Sequence, residues 1–374
     1  MAARFASPYT GLTGIWLRGS FHGHCSQSSG CASLPLQDSV DWYAAAGVDF
    51  LAITDHDRVT PLADMRRRHP ELILLEGFEH SAAENMLFVG ETVEPLYELP
   101  LGQALSRARA GTAGAAAADV VAGGAANADA AGAGVAGAAA ASAAGTAPGA
   151  AGPRAARRHA ASPLLTMVCH PRPRSAGPEY WTLAKLLGLG VLPDGVEIYN
   201  GHYGTATARA HGRQPLGTEL WDELLTAGHR LWGFANDDSH DPEDLGNAWS
   251  MICAAERTAA AVVAAARAGH AYATTGLLLR CAEVAGDELR IELAAPATGR
   301  FIGPGGTVLS EAVGTSFCLR AGWVADRAAA PRGATIPAGA EAPGGLYARF
   351  EAEGEPGRIF LQPAFLTPSP RGNP

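Results

Sequence analysis

The sequence predicts an α/β protein: a barrel of parallel strands followed by a small β-sandwich. Three observations carry that expectation. Short apolar runs alternate with helix-like segments over most of the chain. Strands separated by helices imply parallel pairing. From about Leu277 the pattern changes to short strands punctuated by Gly and Pro, as a β-sandwich requires. The expected strands are Trp16 to Phe21, Val48 to Thr54, Leu72 to Leu75, Leu164 to Cys169, Gly195 to Tyr199 and Arg230 to Ala235. Helices are expected over Ser39 to Ala46, Thr218 to Ala227 and Ala259 to Ala268, each stopped by a glycine at Gly47, Gly228 or Gly269. In the C-terminal part the expected strands are Leu277 to Val284, Glu288 to Leu293, Ser316 to Arg320, Leu346 to Glu351 and Arg358 to Leu361. Six of the seven tryptophans, Trp16 and Trp42 among them, read as core.

One stretch fits none of these elements. From Gly111 to Gly152, 32 of 42 residues are Ala or Gly, with no Leu, Ile, Phe, Tyr, Trp, Lys or Arg. So few large side chains offset little chain entropy, and an insertion is the simplest reading. The division is therefore a barrel over 1–104 and 160–275, an Ala/Gly-rich insertion over 105–159, and a sandwich over 276–374.

Composition narrows the function. The 374 residues carry 28 Lys and Arg against 37 Asp and Glu, a net charge of −9, which argues against gripping the phosphates of a long nucleic acid. The six cysteines form no CxxC pair and read as reduced thiols; with no leader or long apolar run, a soluble cytoplasmic protein is expected. The oligomeric state is left open.

The chemistry lies at the strand ends. They read Phe21-His22-Gly23-His24, Thr54-Asp55-His56-Asp57, Glu76-Gly77-Phe78-Glu79-His80, Cys169-His170-Pro171 and Asp237-Asp238-Ser239-His240. The carboxyl ends of parallel barrel strands gather round one mouth, so these residues are expected to converge there. His22 with His24 and Asp238 with His240 are i, i+2 pairs, each on one face of an extended segment. Mixed imidazole and carboxylate donors suit Zn²⁺, Mn²⁺ or Fe²⁺ without choosing among them. Asp55, Asp57 and Asp237 read as acceptors that orient imidazoles. Cys25 and Cys169 read as core or loop thiols.

These residues resemble the PHP (polymerase and histidinol phosphatase) family of metal-dependent phosphoesterases. Its four motifs correspond to His22-Gly23-His24, to Ile53-Thr54-Asp55-His56-Asp57, to His170-Pro171 and to Asp238-Ser239-His240, over about residues 15–275. Asp194 to Gly201 and Phe301 to Gly306 are similar to the carbaryl hydrolase-like branch. The resemblance implies a distorted (β/α)7 barrel with two to three divalent ions. It implies that His22, His24, Glu79 and Asp238 hold one ion, that Glu79 bridges to a second that His170 also binds, and that His56 and His240 serve a third. Asn85 stands where the family often has a histidine, with His80 as the alternative donor.

The reaction this implies is hydrolysis of a small phosphate mono- or diester by a metal-bridging hydroxide. The leaving group would take its proton from His240 or from His202. Arg172, after His170-Pro171, either clamps the substrate anion or is a solvated loop residue. Hydrolysis of a carbamate or carboxylic ester at the same centre is the alternative, and a non-catalytic metal-binding scaffold the third reading.

Overall fold

The computed structural model describes residues 3–81, 84–110, 163–171, 180–329 and 345–368. The Ala/Gly-rich stretch and Arg172 lie outside the described residues.

The chain is a mixed α/β protein built on a large sheet of parallel and antiparallel strands. In chain order the strands are β1 (Ala3–Ala6), β2 (Ile15–Ser20), β3 (Phe50–Ile53), β4 (Ile73–Ser81), β5 (Asn85–Gly90), β6 (Leu165–Val168), β7 (Gly195–Asn200) and β8 (Trp232–Asn236). They continue with β9 (Trp249–Ala254), β10 (Ala271–Thr274), β11 (Leu279–Ala285), β12 (Glu288–Gly303), β13 (Thr307–Arg320), β14 (Tyr347–Gly354), β15 (Gly357–Leu361) and β16 (Ala364–Pro368). The main path runs β10-β9-β2-β3-β4-β5-β6-β7-β8.

Strands β2, β3 and β4 pair parallel, as do β6, β7 and β8. Strand β5 lies between the two sets, antiparallel to both β4 and β6. Two reversals restore direction, so all six parallel strands end on the same edge. This corrects the all-parallel expectation in two places. Only residues 82–84 separate β4 from β5, too few for a crossover helix, so they form a hairpin. Strand β9 likewise adds antiparallel to β2, and β10 antiparallel to β9. Strand β3 (Phe-Leu-Ala-Ile) and β7 are buried along their whole length, as expected where both faces of a sheet are covered.

The helices Leu36–Ala45, Thr218–Thr226 and Ala259–Arg267 form where expected, to within a few residues. A helix over 101–110 buries Ala104, Leu105 and Ala108 against Trp181, Leu186 and Leu220, so these residues pack with the main core. Trp181 and Trp221 are fully buried, whereas Trp16 and Trp42 are 40% and 37% exposed. Trp16 lies edge-on to Tyr272, and Trp42 covers Gly246 from the outside.

The strands after residue 277 are antiparallel and have their own core around Leu289, Ile291, Phe301, Phe317, Phe350 and Ile359. They are not detached, because β15 pairs with β10 through Tyr272↔Leu361 and Thr274↔Ile359. Gly276 permits the approach: with φ at +144°, a Cβ there would lie 1.9 Å from the Pro356 carbonyl oxygen. Buried Arg349 adds a second link. Its Nε and Nη2 donate to the two oxygens of Asp222 at 2.8 and 2.7 Å, its Nη1 donates to Glu351, and Tyr347 Oη also donates to Asp222.

Removing one partner of such a pair leaves a buried charge uncompensated. Arg349→Met is expected to lower stability by about 3–5 kcal/mol in urea unfolding, with part recovered when Asp222→Asn is added. Equal losses in the single and double variants would show that the pair does not couple the two parts.

Candidate metal centre

The common carboxyl edge of the six parallel strands brings the predicted residues together. His22 and His24 follow β2, His56 follows β3, Glu79 lies in β4, His170 follows β6 and Asp238 follows β8. Backbone hydrogen bonds from Asp238 N to the His22 carbonyl (3.1 Å) and from His24 N to the Ser239 carbonyl (2.9 Å) tie the loops after β2 and β8 to each other.

Two overlapping donor groups result, His22 with His24 and Asp238, and His22 with Glu79 and His170, all buried. His22 Nε2 lies 3.0 Å from Asp238 Oδ1 and 3.4 Å from Glu79 Oε2. His24 Nε2 lies 3.1 Å and 3.3 Å from the same two oxygens. The other Glu79 oxygen, Oε1, lies 3.0 Å from His170 Nε2. His56 Nδ1 is 3.1 Å from Glu79 Oε2, and the His240 ring lies 4.5 Å from that of His24. His202 stands further out, its ring 4.8 Å from His240 and its Nδ1 2.9 Å from Asp244 Oδ1.

Several expectations are corrected. His80 follows Glu79 on a strand and therefore points to the opposite face, where its Nε2 lies 2.8 Å from the Leu99 carbonyl oxygen. Asn85, across the β4–β5 hairpin, donates from Nδ2 to Glu79 Oε1 at 2.7 Å and accepts from Tyr180 Oη. Asp55 holds a loop instead of an imidazole: it accepts from Cys25 N and from the Ser29 and Thr60 hydroxyls, and lies 4.0 Å from His24 Nδ1. Asp57 accepts from Ser81 N, and Asp237 from Tyr43 Oη, Gly246 N and Ala248 N. The thiols of Cys25 and Cys169 are buried, donate to Asp55 and Glu79, and are pushed up by burial and by those carboxylates, which suits neither to attack a substrate.

Glu197 is the main residue that sequence reasoning missed. It is fully buried in β7 and lies 3.1 Å from His22 Nδ1, which turns His22 Nε2 toward Glu79 and Asp238. Its oxygens also accept from His170 N, Asn200 Nδ2 and Asn236 Nδ2. A lone carboxylate in the apolar run Val196-Glu197-Ile198 was the available signal. Asp244 and Cys31 were also missed. Cys31 lies in a loop and Asp244 ends a single 3-10 turn, Pro242–Asp244, where spacing carries no information about neighbours.

Backbone strain marks the same place. Among the described residues the non-glycine positions with positive φ are Asp57 (47°), His170 (28°) and Asp238 (53°). Such conformations cost about 1–3 kcal/mol each and persist where surroundings hold a side chain in a required position.

Electrostatics explain what the cluster needs. Burial favours neutral Glu79, but the charge of His22, the hydrogen bond from His170 and the close imidazoles of His22 and His24 outweigh it and hold the carboxyl well below the usual range. Asp238 behaves alike, against burial, through His22 and His240. Burial lowers His24, yet Asp238 and Glu79 carry it up to about 10, and His22 is raised well above its ordinary value by Asp238, Glu197 and Glu79. Three buried carboxylates thus demand positive charge, from protons or from cations. Glu79 Oε2 is buried and accepts no hydrogen bond of good geometry, although three imidazole nitrogens surround it. An orphaned anionic oxygen amid imidazoles fits a divalent ion.

Similarity to known proteins adds little. No protein-family model matches the chain, and no curated protein sequence is similar to it. One similar solved structure is a two-domain protein from Bacteroides vulgatus, described as containing a predicted PHP-like metal-dependent phosphoesterase, at 13% identity, 94% coverage of each chain and a TM-score of 0.46. Another is an amidohydrolase from Chromobacterium violaceum with bound sulfate, at 18% identity, covering 60% of this chain and 88% of that one, with a TM-score of 0.29. Similarities at this level assign neither a family nor an activity.

The raised histidines give a pH signature. The stabilisation from protonated His24 is present below its unfolded value of about 6.5 and is lost as pH rises toward its folded value. That folded value is about 10. The metal-free protein should therefore lose thermal stability across this window. A divalent ion needs neutral imidazole, so the Tm increment from saturating Mn²⁺ or Zn²⁺ should grow from about pH 6 to about pH 9. An increment that shrinks over that range contradicts a metal-binding cluster.

Proposed function

We propose that the chain is a metal-dependent hydrolase of a small ester, with a phosphate mono- or diester as substrate and the barrel of the PHP family as its fold. The observation that carries the proposal is the buried cluster of His22, His24, Glu79, His170 and Asp238, in which one carboxylate oxygen is orphaned among imidazoles.

His22, His24, Glu79 and Asp238 would hold one ion, and Glu79 with His170 a second, so that the Glu79 carboxylate spans both positions. Ions bound there would activate water and polarise the ester oxygens. The protein's own groups do the rest. Glu197 fixes the tautomer of His22, and the strained turns at His170 and Asp238 fix where their side chains point. Burial of the donors keeps bulk water from competing for them.

His202 is the proton donor for the leaving group. Asp244, fully buried, faces its Nδ1 at 2.9 Å, so Nε2 carries the exchangeable proton toward the site. Burial lowers His202, and the Asp244 hydrogen bond outweighs it and raises it. His240, whose Nδ1 is engaged by the Asp238 carbonyl at 2.7 Å, belongs with the metal donors. No helix among the described residues is long and apolar enough to cross a membrane.

The test pairs metal content with a substrate panel of phosphomonoesters, phosphodiesters, aryl esters and an aryl carbamate. His22→Ala and Asp238→Ala should each lose bound metal and lower kcat by about 100-fold or more. Retention of both metal and activity would overturn the site, and turnover confined to the aryl carbamate or carboxylic ester would overturn the phosphoesterase reading. His202→Gln should lower kcat by about 100-fold for an alkyl phosphate and far less for a nitrophenyl phosphate, whose leaving group needs no proton. Equal losses on both would remove His202 from that role.

A further inference from the structure

We propose that Cys31 is a metal ligand. With His56 and His240 it forms a third position at the outer edge of the cluster, and its sulfur makes that position selective for a thiophilic divalent ion such as Zn²⁺. The proposal rests on reading the cluster as a metal centre and adds to it a donor that the strand-end pattern does not contain.

Ligand atoms of His24, Cys31, His56 and His240 all lie within 4.8 Å of one another. The His24 ring is the shared wall, 4.7 Å from the His56 ring and 4.5 Å from that of His240. His24 Nε2 faces Asp238 and Glu79 on the inner side, which leaves Cys31, His56 and His240 as the outer donors. In His240 the Nδ1–H donates to the Asp238 carbonyl, so Nε2 carries the free lone pair.

The loop bearing Cys31 is held in place by this site. Ser33 N and Leu34 N both donate to the His240 carbonyl at 3.0 and 3.1 Å, and the Ser29 hydroxyl donates to Asp55 at 2.7 Å. Cys31 is the exposed thiol at this mouth, whereas Cys25 and Cys169 are buried and donate to carboxylates. One thiolate and two imidazoles match sites with three protein donors and an open fourth position. A soft sulfur donor favours Zn²⁺ over Mn²⁺ or Mg²⁺. On binding, the sulfur–metal bond forms as the thiol proton passes to solvent, with no change of oxidation state.

Cobalt(II) is the probe, because thiolate ligation gives a sulfur-to-cobalt charge-transfer band in the near ultraviolet. The full chain, freed of metal and titrated with Co²⁺, should develop this band, and Zn²⁺ should abolish it by displacement. Cys31→Ser should lose the band and one equivalent of Co²⁺ while keeping the visible bands of the inner ions. Cys31→His should lose the band but keep the equivalent. Because Cys31 is exposed, both variants are expected to fold, which their unchanged Tm without metal verifies. The proposal is overturned if Co²⁺ binds without the band, or if the band survives Cys31→Ser and disappears in Cys169→Ser. Those results leave the inner centre standing. Absence of stoichiometric Co²⁺ binding to the unaltered protein overturns this proposal and the metal-centre reading together.

Discussion

Glu79 is a carboxylate removed from water and surrounded by nitrogen. Four imidazoles approach within 3.0–3.4 Å of its two oxygens, from His22, His24, His56 and His170. An isolated charge buried in this way is prohibitively costly, so its surroundings must supply compensating charge and hydrogen bonds. The compensating groups come from the ends of three strands, β2, β3 and β6. The requirement at one carboxylate therefore constrains the registers of β2, β3, β4 and β6 together. The hairpin from β4 to β5 serves the same end, since it returns the chain at Asn85 to donate to Glu79.

A second layer holds the first in position. Glu197 touches His22, receives the His170 backbone amide, and is itself held by the side-chain amides of Asn200 and Asn236. Asn200 also donates to Asp238, so a single buried amide ties Glu197 to one of the donors. With every member satisfied, such a network rigidifies its site, and the positive φ angles of His170 and Asp238 are tolerated because these bonds offset their cost.

The histidines and acids at the strand ends were legible because strand periodicity and parallel direction are local signals with a global consequence. His22, His24, Glu79, His170 and Asp238 all fall where that logic sends them. What was not legible depends on chain reversals and loops. The antiparallel β5 hides in an apolar run, Met86 to Val89, that has no periodicity of its own. His80 reads as the alternative donor to Asn85, yet strand alternation places it on the face opposite Glu79. Asp55 and Asp237 looked like imidazole partners by proximity in sequence, yet both satisfy backbone amides and hydroxyls of neighbouring loops. Cys31 meets His56 and His240 solely because a loop folds back onto the His240 carbonyl. The continuity of the sheet across residue 276 depended on the β10–β15 ladder, a contact between segments more than eighty residues apart.

On the proposed reading, the positive charge demanded by Glu79 and Asp238 is met by a divalent ion held between them and the two histidines after β2. Anomalous diffraction from crystals grown with Mn²⁺ or Zn²⁺ tests it most directly. A strong anomalous peak is expected between His22 Nε2, His24 Nε2, Glu79 Oε2 and Asp238 Oδ1. Peaks confined to surface carboxylates, with these four side chains paired directly to one another, would contradict it.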